Sequence, residues 1–133
     1  MNFYGIRHDK TTAIFYKAVH KIRNEYISDY DPSFKYVINR KAKARGFDNS
    51  PYYACAEGIH ISHLDWALNY GEPWLDLAII EVKVKIKDIV LPNETDGKVR
   101  VPEAEVIREV PLEECGVYGK ILAKRREREV SHG

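Results

Sequence analysis

From Ile80 to Lys87 the chain alternates without a break: Ile80, Val82, Val84 and Ile86 against Glu81, Lys83, Lys85 and Lys87. Successive side chains of a strand point to opposite faces, so this stretch predicts a strand with one apolar face and one wet face. A wet-faced strand belongs to an antiparallel sheet, and that choice constrains the reading of every other segment. Ala13–His20 carries the same signature, with Ile14, Tyr16 and Ala18 set against Phe15, Lys17 and Val19. Tyr26–Ser28 and Lys35–Ile38 are shorter strand candidates across the turn signal Asp29-Tyr-Asp-Pro32. Lys98–Val101 and Glu103–Val110 are further strands, and Pro102 between them implies an edge or a bulge. Asn93–Gly97 reads as the turn before them, and the polar, basic stretch from Asn39 to Tyr53 as a long loop.

Between these strands lies an elbow. Gly58-Ile-His-Ile-Ser62 has a strand pleat that puts Ile59 and Ile61 on one face and His60 and Ser62 on the other. Ser62 is the expected N-cap of the helix that follows, with Asp65 as its capping-box partner. Leu64, Ala67 and Leu68 form the buried stripe of that helix, and Trp66 falls off it. Gly71 is the expected C′ residue, and Pro73 prevents continuation. From Leu112 the pattern becomes helical, with a break at Gly116 or Gly119. The expected fold is α+β: a mainly antiparallel sheet of about five or six strands, a short helix after Ser62 and a C-terminal helix. One domain over 1–133 is expected, with a core at about 13–111 and a basic helical tail at about 112–133.

Composition narrows the functional classes. No apolar run is long enough to span a membrane, and no charged n-region with an apolar h-region opens the chain. The expected address is the cytoplasm, with Cys55 and Cys115 as reduced thiols. The net charge of +1 demands no polyanionic partner. Its distribution keeps one open, because Lys35, Arg40, Lys41, Lys43 and Arg45 cluster without an acidic neighbour and the tail adds Lys124, Arg125, Arg126 and Arg128. Lys41, Lys43 and Arg45 are the candidate nucleic-acid contacts.

The elbow concentrates chemistry. Cys55, His60 and His63 are zinc-competent, but their spacing matches no zinc motif and no metal is expected. Cys55 with His60 could form a thiolate–imidazole pair, although packing under the elbow is the simpler role for that thiol. His60 and Ser62 face one way beside a helix N-terminus, where an anion is favoured. Tyr52, Tyr53, Trp66, Tyr70 and Trp74 cluster around the elbow in sequence and could stack on a flat ring. His60, Ser62, Tyr70 and Trp66 are the expected ligand-binding residues. Glu103 and Glu105 share one face of their strand.

Two resemblances add to this. Phe15-Tyr-Lys-Ala-Val-His20, Cys55-Ala-Glu-Gly-Ile-His-Ile-Ser62, the Ala67–Tyr70 helix and the Lys98–Val101 and Val106–Val110 strands occur in an order similar to an uncharacterised small domain common in bacteriophage and prophage proteins. That resemblance spans about residues 14–111 and implies a phage-encoded protein of the host cytoplasm, with no activity attached. A second, looser likeness is to ADP-ribosyltransferase folds, with His20, Ser62 with Tyr70, and Glu105 of Glu103-Ala-Glu105 as counterparts. It implies an enzyme that anchors NAD with His20 and holds a ribose hydroxyl with Glu105. The leading expectation is a phage accessory domain that binds a small ligand, such as a nucleotide, or a host protein. The alternatives are an NAD-using ADP-ribosyltransferase, with catalytic His20 and Glu105, and a nucleic-acid-binding module.

Overall fold

The computed structural model describes residues 9–46, 58–91 and 98–132, the last four as backbone only. Cys55, Tyr52, Tyr53 and the turn at Asn93–Gly97 lie outside the described residues. The elements run β1 (Thr12–Ile22), β2 (Glu25–Ile27), β3 (Lys35–Tyr36), β4 (Lys41–Lys43), β5 (Ile59–Ser62), α1 (Leu64–Gly71), β6 (Leu77–Lys85), β7 (Lys98–Val101), β8 (Glu103–Val110) and α2 (Gly116–His132). The α+β class and the antiparallel sheet are as the alternation requires. Six strands lie in the order β3-β2-β1-β6-β8-β4, and the β5–β7 ribbon joins β1 through Tyr16 and Ser62.

The additional strand is β4, inside the stretch read as a long loop. Lys41, Ala42 and Lys43 pair with Glu105, Ala104 and Glu103 of β8. The pattern there is a short Lys-Ala-Lys alternation, with only Ala42 turned into the core. Three residues are too few to raise a strand signal from sequence. Turn chemistry is clearer between β1 and β2. Arg23 and Asn24 both have positive φ, 53° and 66°, as the two central residues of a tight hairpin require.

The sheet is buried on both sides. On one, Phe15, Val19, Ile80, Val82 and Val106 pack under the β5–β7 ribbon, which contributes Ile59, Ile61, Val99 and Val101. On the other, Ala18, Leu77, Ile79 and Val110 meet Ala67 and Leu68 of α1 and Leu122 of α2. The wet face expected along β6 therefore begins only at Lys83. Glu81 is buried, 3.6 Å from the Arg108 guanidinium.

Both expected caps of α1 differ from the structure. The N-cap is His63, whose Nδ1 accepts the Trp66 N–H at 3.3 Å, while the Ser62 hydroxyl donates to the His63 carbonyl at 2.9 Å. Ser62 belongs to β5 and is buried, so its hydroxyl is held in the strand. Gly71 is the last helical residue, with no positive φ, and Glu72 forms the C-cap. A Cβ at Gly71 would overlap the Leu77 Cδ1 methyl and lie 3.1 Å from Ala18 Cβ. This glycine serves the close approach of α1 to β1 and β6.

The break before α2 falls at Gly116, with φ +73°, after a 3-10 turn at Leu112–Glu114. Arg126 of α2 reaches back to the exit of α1 and donates to the carbonyls of Leu75, Glu72 and Trp74. Arg125 meets Glu72 at 3.4 Å. Two cations counted in the basic tail thus hold α2 against α1.

Candidate functional site

β1 has one edge paired with β6 from Thr12 to His20 and a second edge shared between two neighbours. β5 meets that second edge at Tyr16, and β2 meets it at His20–Ile22. Over Lys17–Val19, between them, no strand among the described residues pairs with it. This gap is the floor of a cleft of about 340 Å³, a volume within the range of small-ligand pockets. One wall is the loop after β2, including Asp29, Tyr30 and Phe34, together with Arg45. The other is β5 with Trp66 and Tyr70 of α1, and Lys98 of β7 also reaches the cleft.

Three cations reach this space. Lys17 lies on the same face of β1 as core residues Phe15 and Val19. Its ammonium donates to the His60 carbonyl at 2.8 Å and lies 5.9 Å from the Tyr36 ring. Burial and the neighbouring Lys98 charge push its pKa down to about 8, with Asp29 opposing. Lys98 lies opposite Ser62 on the β5–β7 ribbon, and its ammonium sits 5.9 Å from the Trp66 ring. Arg45 stacks over Phe34 and pairs with Asp31 at 2.8 Å. Two ammonium groups that repel each other in a half-buried cleft are the electrostatic setting an anion would relieve.

Aromatic groups and one carboxylate complete the cleft. Trp66 and Tyr70 stack at 5.2 Å with their planes 11° apart, one helical turn from each other on α1. The Tyr70 hydroxyl donates to Asp29 Oδ2 at 2.9 Å. Asp29 Oδ1 lies 2.8 Å from His20 Nε2, and His20 Nδ1 lies 2.6 Å from Asp76. The His20 ring stacks on Trp74 with centroids 4.1 Å apart. Burial alone would lower the His20 pKa, but the two carboxylates outweigh it and raise the value above 6.5. For Asp29, burial acts upward, and hydrogen bonds from His20 and Tyr70 bring the carboxyl below 3.8.

The structure brings His60, Ser62, Trp66, Tyr70 and Arg45 together around this cleft. His20 stands behind Asp29 and does not line it. Glu105 lies on β8, separated from β1 by β6 and paired opposite Lys83 and Lys41. His20, Ser62 and Glu105 therefore do not share one cleft, as an ADP-ribosyltransferase arrangement would need. Lys41 and Lys43 sit on the edge strand β4, opposite Glu105 and Glu103, with Lys41 Nζ 4.0 Å from Glu103. Among the described residues no group of three or more His, Cys, Asp or Glu is placed to hold a metal ion. Cys115 is a buried packing thiol, pushed up to about 11 by burial.

Lys17, Lys98 and Asp29 were not singled out from the sequence. Lys17 carried a signal, since a lysine between Phe15 and Val19 breaks an apolar strand face. Lys98 and Asp29 carried none, because only the β5–β7 register and the loop after β2 bring them to the elbow.

Fold and cleft together give an α+β architecture with a cleft lined by cationic and aromatic side chains. Over 114 residues the chain is 39% identical to "Gabija anti-defense 2" of Bacillus phage SPbetaL7. The match covers 83% of this chain and 26% of that protein, so the chain spans about a quarter of its relative's length. This agrees with the kinship to phage proteins expected from the sequence. No family model and no solved structure matches the chain. No described helix is long and apolar enough to cross a membrane.

Proposed function

We propose that this chain is a phage accessory domain that captures a small anionic ligand carrying a flat ring, the nucleotide class, in the cleft beside β1. The anti-defence name of its phage relative supports an accessory role exercised against the host. The observation that carries the ligand class is the convergence of Lys17, Lys98 and Arg45 with Trp66 and Tyr70 in one space. The ammonium groups suit a phosphate, and the indole offers a ring face for a base. His60 offers a polar side chain at the β5 wall, where the buried Ser62 hydroxyl is held by the His63 carbonyl. NAD belongs to this ligand class, and the placement of Glu105 gives no support to a transferase reaction on it.

A thermal-shift panel tests the reading with adenosine and guanosine monophosphates, NAD, ADP-ribose and inorganic phosphate, each on the full chain. Ligand at about 100 times its Kd stabilises by about 2.7 kcal/mol, an easily resolved shift. Stabilisation by nucleotides beyond that by phosphate supports the assignment. An unchanged transition with every nucleotide at millimolar concentration overturns it.

A further inference from the structure

We propose that His20 is a protonation-controlled clamp that holds the loop 28–34 as a wall of the cleft, so that occupancy of the site described above is gated by pH. The gating rests on that ligand-binding reading, whereas the clamp itself does not.

The loop is a compact unit. The Ser28 N–H donates to the Phe34 carbonyl at 3.0 Å, the Phe34 N–H to the Asp31 carbonyl at 2.8 Å, and Asp31 accepts from Ser33. Its polar tie to β1 and α1 runs through Asp29, beside the contacts of Arg45 to Asp31 and Ser33 and the packing of Phe34 on the core. The Asp29 carboxylate takes His20 on one oxygen and Tyr70 on the other. His20 also faces Asp76 from the turn before β6, so both ring nitrogens meet acceptors. Only the imidazolium can donate from both nitrogens. Neutral imidazole has one N–H, and its bare nitrogen would then face a carboxylate.

The other groups around His20 are consistent with one proton deciding the matter. Trp74 covers the ring face, and the cross-strand neighbours Ile27 and Leu77 are apolar. Lys17 acts on Asp29 through charge, favouring the carboxylate. The contact to Asp76 is the shorter, at 2.6 Å against 2.8 Å. The neutral ring can donate to only one of the two carboxylates, and the proton facing Asp29 is the one that ties the loop to β1. Its loss releases Asp29 from β1 and leaves the loop held by Tyr70 on Asp29 and by Arg45 on Asp31 and Ser33.

The sign follows from the two shifts. His20 is raised above 6.5 and Asp29 lowered below 3.8. The clamp is closed between the folded values of Asp29 and His20, and opens as pH rises through that of His20.

Hydrogen exchange of the 28–34 amides on the full chain, corrected for intrinsic rates and run alongside NMR titration of the His20 ring, tests the clamp without ligand. Protection should fall at least tenfold across the His20 midpoint, and Asp76→Asn should move both curves to lower pH together. His20→Gln should lose the step, with Tyr70→Phe lowering protection at every pH. Protection that stays level while His20 titrates overturns the clamp. A step that moves with His20, together with nucleotide affinity that falls at least tenfold across it, supports the gating. A step without any nucleotide binding leaves the clamp established and overturns the ligand reading.

Discussion

Lys17 should weaken the fold that contains it, and replacing it with methionine should make the protein more stable. The gap between the ordinary lysine value of 10.5 and about 8 corresponds to ~3 kcal/mol of penalty on the charged form. Below pH 8 the folded and unfolded chains both carry the proton, and only the fold bears that penalty. Between about 8 and 10.5 the unfolded chain keeps a proton the fold has released, so stability rises with pH. Methionine fills a similar volume without charge and gives up the hydrogen bond to the His60 carbonyl, a loss of about 1 kcal/mol. The net gain at pH 7 is about 2 kcal/mol, several degrees in Tm for a chain of this size. Urea melts of wild type and Lys17→Met at pH 7 and 10 measure both effects. The variant should be the more stable at pH 7, and the difference should close by pH 10. A variant that is less stable at pH 7 and keeps the wild-type pH slope would refute the reasoning.

Gly71→Ala should destabilise by about 1–3 kcal/mol in urea unfolding, because its methyl meets Leu77 and Ala18 with little room. A true left-handed cap would instead show a positive φ, which Gly71 lacks. Neutralising Lys41 and Lys43 together to glutamine should leave nucleotide affinity within about twofold of wild type, since neither lines the cleft and both face carboxylates of β8. Leu68→Ala, a fully buried site between α1 and the sheet, should cost about 2–5 kcal/mol by chemical denaturation.

Sequence legibility followed the range over which each signal acts. The alternation of β1 and β6 is local and long, and it located both strands and the α+β class. The elbow was legible for the same reason, since Ile59 and Ile61 fix which way His60 and Ser62 point. Caps failed because the competition is between neighbours. Ser62 and His63 both offer a capping atom, and the sheet claims Ser62 through its pairing with Tyr16 and Lys98. Gly71 signals a helix end whether it serves a positive φ or a close approach. The cations of the cleft come from β1, β7 and the segment after β4, and only the register of three separate pairings brings them together. The basic segments show the same limit from the other side. Arg126 and Arg125 read as part of a basic tail, yet they hold α2 to the exit of α1.

The central claim is that Lys17 and Lys98 hold the anionic end of a nucleotide in the β1 cleft. Isothermal titration of the full chain with ADP, repeated on Lys17→Met and Lys98→Met, addresses it directly. The account predicts saturable one-site binding that weakens at least ~10-fold in each variant, about 1.4 kcal/mol apiece. Equal affinity in all three proteins, or no binding to wild type at millimolar ADP, would contradict it.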